Sequence, residues 1–196
     1  MASKEKVKVI LGVPVADNDA MRALTAQSIG GAIIGAKGLV TDMLLRRSCD
    51  IVSNRTWLVN ESIKKGGTHL LFVDSDMIFP QDTIPRLLAH KKKIIGVRYK
   101  KRKFPIEWLY KPIDKESDTK IFKVKHVGTG LMLIDLSIFT DKEKPLGSPW
   151  FNFGRDSQGA LVMGEDVWFC NTAWEVGHEV WVDPTLQIGH LGEYIF

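Results

Sequence analysis

At 196 residues, 44% apolar and 26% charged, the chain has the length and composition of one well-packed globular domain, which excludes a disordered or fibrous chain. No apolar stretch is long enough to span a bilayer, the lysine-rich start lacks the apolar core of a signal peptide, and two cysteines, Cys49 and Cys170, make neither a disulfide framework nor a zinc cluster. The formal charge of +4 is mild but uneven, because Lys91-Lys92-Lys93 and Lys100-Lys101-Arg102-Lys103 bracket one short apolar segment. A reducing cytoplasm, or a host's cytoplasm for a viral chain, is the expected location.

Strand and helix patterns alternate along the chain. Residues 7–15 are an apolar run closed by Pro14 and the turn-like Asp17-Asn18-Asp19, a first strand followed by a helix cap. Helical spacing covers 21–34, a short strand 39–45, and a second helix 54–65 that ends at Gly66-Gly67. The third strand, 70–73, runs into Asp74-Ser75-Asp76. A short helix at 83–90 carries Pro85 in its first turn and precedes a strand at 94–99. Beyond residue 106 the pattern turns β-like, at 108–110, 122–125 and 131–134. A helix over 165–176, stopped by Gly177, and a strand at 180–182 close the succession, which predicts one α/β/α sandwich around a mixed, mainly parallel sheet.

Two carboxylates one residue apart at the end of a buried strand stand at the edge of a sheet where α/β ligand crevices open. Asp74 and Asp76 can converge, directly or through water, on one Mg²⁺ or Mn²⁺, ions that take phosphate oxygens as further ligands. A second acidic pair, Glu165-Asp166 after Gly164, opens the late helix. Acids in a first helical turn offset the helix dipole, so on its own this pair reads as a cap. The imidazole of His190 arrives just past the last apolar segment, where it can join a coordination sphere. Gly128 and Gly130 either admit a close approach of backbone to a ligand or mark a bulge. Among the six tryptophans, Trp108, Trp150 and Trp168 are candidates to stack on sugar. Residues 31–38 lack the spacing and the hydroxyl of a phosphate loop, and Gly128-Thr129-Gly130 lacks the third glycine of a dinucleotide fingerprint.

Asp74-Ser75-Asp76 after its strand, Val127-Gly128-Thr129-Gly130-Leu131-Met132-Leu133 as a mid-chain strand, Gly164-Glu165-Asp166 on a helix and Gly189-His190 near the end resemble, in order and separation, the type A (GT-A) fold of nucleotide-sugar glycosyltransferases, family 2 above all. The resemblance covers residues 7–190. It implies a single catalytic domain, with a nucleotide-binding half over 1–100 and an acceptor and catalytic half over 101–196. Asp76 would be the main protein ligand of Mn²⁺ or Mg²⁺, with Asp74 at the metal shell or the ribose and His190 a further ligand. Asp166 would be the general base and Glu165 its orienting partner. Pro14, Asp17, Arg55 and Ser75 would contact the nucleotide. The implied activity is hexosyl or pentosyl transfer, with inversion, from a UDP- or GDP-sugar to a glycan, a lipid-linked sugar or a modified nucleic acid, and the chain is open to oligomer formation. Because six residues follow His190, the segment that closes over the acceptor in larger relatives is expected to be short.

Two other readings use the same residues. A haloacid-dehalogenase-type phosphohydrolase would phosphorylate Asp74 and use Asp76 as acid and base, but its motif sits on the first strand of the domain and Ile78 stands where Thr or Val is usual. A basic module would grip nucleic acid through residues 91–103, although two acidic pairs would repel phosphate unless a cation neutralised them.

Overall fold

The computed structural model describes residues 6–16, 20–102 and 105–192. In chain order its elements are β1 (Val9–Val15), α1 (Ala23–Gly35), β2 (Val40–Arg47), α2 (Ile51–Lys64), β3 (His69–Val73), β4 (Met77–Ile78), α3 (Thr83–Ala89) and β5 (Ile94–Val97). There follow β6 (Tyr110–Pro112), β7 (Phe122–Val127), β8 (Leu131–Asp135), α4 (Ser137–Thr140), β9 (Gly154–Arg155), β10 (Leu161–Met163), α5 (Glu165–Glu175), β11 (Val180–Asp183) and β12 (Gly189–His190).

An eight-stranded sheet in the order β2-β1-β3-β8-β5-β11-β7-β6 organises the molecule. Neighbours are parallel at β1–β2, β1–β3 and β5–β11, and antiparallel at β3–β8, β5–β8, β7–β11 and β6–β7. Every residue of β1 is buried, which is why it reads as a continuous apolar run rather than an alternating one. Its side chains still alternate between two cores. Ile10 joins Phe72 and Ile134 under α2 and α5, which contribute Leu58, Val59, Phe169 and Ala173. Val9, Leu11 and Val13 face the other way, toward Ile29 and Ala32 of α1 and Ile84 and Leu87 of α3. The sandwich with helices on both faces is thus the one expected. Strands from the two halves of the chain interleave in it, since β8 lies between β3 and β5.

One local expectation is corrected and another falls outside the described residues. Residues 127–133 are not one strand. β7 ends at Val127 beside β11 and β6, while β8 begins at Leu131 between β3 and β5. Between them Gly128-Thr129-Gly130 passes Tyr99, whose Oη accepts a hydrogen bond from the Gly130 N–H at 3.0 Å. A Cβ on Gly130 would come within 2.6 Å of that oxygen, and one on Gly128 would collide with the same hydroxyl and with Leu109. Room for Tyr99 is therefore what these glycines provide. The first helix begins at Ala23 after Arg22, whose N–H bonds to the carbonyl of Ser75 at 2.9 Å. The Asp17-Asn18-Asp19 turn expected to cap it lies outside the described residues.

Candidate active site

The site lies at the carboxyl end of β3, held by backbone bonds on both sides. The Asp74 N–H donates to the Gly130 carbonyl at 2.8 Å, extending the β3–β8 ladder by one rung, and the Met77 N–H donates to the Asp74 carbonyl at 3.3 Å. The chain then turns into β4, which pairs with β12 so that Met77 stands opposite His190 and Ile78 opposite Gly189. The Leu191 N–H closes the arrangement on the Asp76 carbonyl at 2.9 Å. These two-residue strands bring His190 to the acid turn.

Arg55, on the core side of α2 and 3% exposed, joins the acid turn to the start of α5. Its Nη2 donates to Asp74 Oδ1 at 3.0 Å and its Nε to Glu165 Oε1 at 3.2 Å. Burial opposes the guanidinium charge, but the two carboxylates more than offset it and raise its pKa. Arg55 also lies over the Phe72 ring, 5.2 Å from its centroid. Arg55→Met would leave two acids facing each other without a cation. Because both still reach solvent, the expected loss of stability is about 3 kcal/mol, the lower end for breaking a buried pair, read by denaturant melts. A loss under about 0.5 kcal/mol would show that the cation is not structural.

Asp76 faces the opposite way. Its Oδ2 is 2.7 Å from Nη1 of Arg102, and its Oδ1, buried and without a hydrogen-bond partner, is 3.6 Å from Nε2 of His190. Burial would raise the Asp76 carboxyl, yet His190 and Arg102 hold it below its ordinary value. The His190 imidazole shows the mirror image: burial opposes its charge, and Asp76 with the Lys100 carbonyl raises its pKa. The Nδ1 of His190 lies 2.8 Å from that carbonyl, which can only accept, so Nδ1 carries a proton and Nε2 is left facing Asp76.

Asp166 lies in the first turn of α5, where its Oδ1 accepts from the Val167 N–H at 2.7 Å. Burial and the neighbouring Glu165 push its carboxyl above the usual carboxylate value. Tyr99 connects the parts. Its hydroxyl is held by Gly130, its ring stands edge-on to His190 at 5.3 Å, and burial followed by the charge of Asp74 drives its pKa well up.

Among the nucleotide-contact candidates, Pro14 is buried in β1 opposite Arg46 of β2, Ser75 ties down α1 through its carbonyl, and Asp17 lies outside the described residues. Beside Pro14, Asn54 donates to the carbonyls of Val15 and Ser48 at 3.3 and 3.2 Å, while Asn54 Oδ1 and Arg46 Nε are buried with no hydrogen-bond partner among the described residues. Arg102 belongs to the basic run that the sequence marks, but its contact with Asp76 is not legible there, and the sequence reading missed Asn54, Arg46 and Tyr99. Asn54 could have been found, because with Arg55 it occupies the helical stripe that continues through Leu58, Val59 and Ser62 into the core.

Asp74, Asp76 and His190 do not surround one point. Among the described residues no three His, Cys, Asp or Glu side chains form a ready cation cage. Asp76 and His190 nonetheless fit a divalent ion as a pair. The Asp76 oxygen lacks a partner, the His190 nitrogen is oriented from behind, and their separation of 3.6 Å falls within the roughly 3–4 Å between donors sharing an ion at about 2.1 Å. Phosphate oxygens and water supply the remaining ligands of such ions.

A cavity of about 480 Å³ opens beside this pair, with Arg98, Lys100, Lys101, Arg102, Trp108 and His190 in its wall. Arg98 and Lys100 lie over the Trp108 ring at 4.7 and 5.3 Å from its centroid, so that ring carries cations. Trp150 packs on Phe139 at 4.8 Å, and Trp168 donates to the Pro149 carbonyl at 3.1 Å. Lys91-Lys92-Lys93 precede β5 and Lys100-Lys101-Arg102 follow it, so the two basic runs sit at opposite ends of that strand. Lys103 lies outside the described residues.

No protein-family model and no curated protein matches the chain. Solved structures do. A197 from STIV is similar with a TM-score of 0.66 at 14% identity, over 95% of this chain and 87% of that one. GalNAc-T7, solved with UDP, GalNAc and Mn²⁺, gives 0.57 at 12% identity, over 96% of this chain and 44% of that one. S. aureus TarS 1–349, in complex with UDP-GlcNAc, gives 0.54 at 14% identity, over 91% and 56%. The chain thus spans about half of the latter two. Identities this low speak to the fold, and the fold is the GT-A fold of nucleotide-sugar transferases. No helix among the described residues is long and apolar enough to cross a membrane.

Proposed function

We propose that the chain is a divalent-cation-assisted glycosyltransferase that moves a sugar from a UDP- or GDP-sugar to an acceptor hydroxyl with inversion. The observation that carries this reading is the single buried guanidinium of Arg55, which locks the acid turn to the first turn of α5. It supports the reading because it ties the strand end that carries Asp74 and Asp76 to the helix start that carries Glu165 and Asp166. The fold adds support, since two of its similar structures were solved with UDP or UDP-GlcNAc and one with Mn²⁺.

Asp76 and His190 would hold Mn²⁺ or Mg²⁺, which neutralises the charge that grows on a departing nucleoside diphosphate. Asp74, kept in place by Arg55, lines the donor side with Ser75. Pro14, Asn54 and Arg46 would face the nucleoside, the last two offering unpartnered polar atoms to a base or ribose. Asp166 would take the proton of the attacking hydroxyl as the anomeric carbon becomes oxocarbenium-like. Its raised pKa makes it a stronger base than an exposed aspartate, and the charge of Glu165 sustains that shift. The basic cavity is suited to a negatively charged acceptor, whether glycan, lipid-linked sugar or modified nucleic acid. The phosphohydrolase reading has less support, because Arg55 draws charge from one of the two Asp74 oxygens and so weakens that carboxylate as a nucleophile.

A panel of UDP- and GDP-sugars, incubated with Mn²⁺ and assayed for nucleotide release and for binding, tests the reading. At least one donor is expected to bind and to be slowly hydrolysed only with the ion. Cleavage of a simple phosphate ester with no response to any nucleotide sugar would overturn it.

A further inference from the structure

Arg55 and Arg102, which pair with the two acids at the end of β3, stand in opposite circumstances. Arg55 is 3% exposed and bonded to two carboxylates, a fixed part of the fold. Arg102 is 53% exposed at its side chain, pairs among the described residues with the Asp76 carboxylate alone, and lines the basic cavity. It contacts one oxygen of Asp76, the residue assigned above as main metal ligand, while the other oxygen has no hydrogen-bond partner and faces His190 at 3.6 Å. A guanidinium and a divalent ion on one carboxylate repel each other, and the guanidinium is the partner with freedom to leave. Its planar fork of donors suits phosphate as well as carboxylate.

We propose that Arg102 is an exchangeable cation: it neutralises Asp76 in the free chain, gives way when a divalent ion binds, and then pairs with the diphosphate of the nucleotide. The exchange rests on the reading of Asp76 as a metal ligand. It explains how an acidic edge stays neutral when empty yet gains a positive charge at the diphosphate when loaded. No bond is made or broken in it, only ion pairs.

Calorimetry on the full chain, with Mn²⁺ alone and then with UDP in the presence of Mn²⁺, tests this on wild type, Arg102→Ala, Arg102→Lys and Asp76→Asn. Removing a competing cation should tighten Mn²⁺ binding by Arg102→Ala about fivefold, the upper range for an exposed ion pair. The same variant should bind UDP about tenfold or more weakly, as when a hydrogen bond to a charged group is lost. Arg102→Lys keeps the charge and should stay near wild type for Mn²⁺. Effects of opposite sign on the two ligands are the signature. Mn²⁺ affinity that is unchanged or weaker in Arg102→Ala, while Asp76→Asn abolishes it, would overturn the exchange and leave Arg102 as a support for Asp76. Tighter Mn²⁺ with unchanged UDP affinity would overturn the transfer to phosphate. Equal Mn²⁺ binding by wild type and Asp76→Asn would remove the metal-ligand reading, and the exchange with it.

Discussion

Asp76→Asn is expected to abolish the Mn²⁺-dependent part of nucleotide-sugar binding while leaving the fold intact. The amide keeps the side chain's size but removes the charge that attracts a hard cation. Backbone bonds to the turn do not involve the changed atoms, since Leu191 bonds to the Asp76 carbonyl and Met77 to that of Asp74. The lost contacts are with Arg102, half exposed, and with His190 at 3.6 Å, so the expected change in stability is about 1 kcal/mol. Donor titrations with and without Mn²⁺, beside a thermal melt, separate the two effects. Unchanged donor affinity would remove the metal assignment. His190→Ala should weaken the same binding less, and a lowered melting temperature with unchanged binding would make that histidine structural.

The Asp76 and His190 pair also has a pH signature. The Asp76 carboxyl is depressed, so its contribution to stability is present above its unfolded pKa and is lost as pH falls through the folded value. The His190 imidazole is raised, so its contribution is complete below its unfolded pKa and is lost as pH rises through the folded value. Both operate in the mildly acidic window between. In Asp76→Asn the imidazole pKa should therefore fall, which an NMR titration of the ring protons reads directly.

What was legible in the sequence followed from repetition. Buried strands such as β1 and β3 are unbroken apolar runs, and the acids at the end of β3 stand out because apolar residues lead up to them. β4 and β12 are two residues each, too short for any period, and their pairing joins Ile78 to a partner more than a hundred positions away. The proximity of His190 to Asp76 is a product of that pairing; the sequence offers only an imidazole at the end of an apolar segment, and the resemblance adds the rest. Arg102 stands in a run of lysines, where a charge usually means a solvated face, and its contact with Asp76 has no local pattern. The broken strand at Gly128 failed differently: apolar residues continue on both sides of the glycines, and what interrupts them is Tyr99, packed there from β5's far end. Arg55 is a site residue from the resemblance, but its pairing with Asp74 and Glu165, like the role of Asn54, was readable in principle only from polar side chains on a core stripe that must find partners.

Asp166→Asn is expected to retain donor and Mn²⁺ binding while losing transfer by about 10²- to 10⁴-fold in kcat, the range of a general base. Asparagine is the informative replacement because its Oδ1 can still accept from the Val167 N–H, which preserves the first turn of α5. What it cannot do is take a proton. In the wild type the carboxyl is raised by burial and by Glu165, so the acidic limb of the pH–rate profile should lie above the range of an ordinary aspartate. Glu165→Gln should move that limb to lower pH by removing a like charge, although it also leaves Arg55 with one carboxylate in place of two. If Asp166 acts by direct proton removal during a single displacement, the anomeric centre of the product must be inverted, which NMR coupling constants report. A retained configuration would remove the direct mechanism, and kcat unchanged in Asp166→Asn would place the base on another residue.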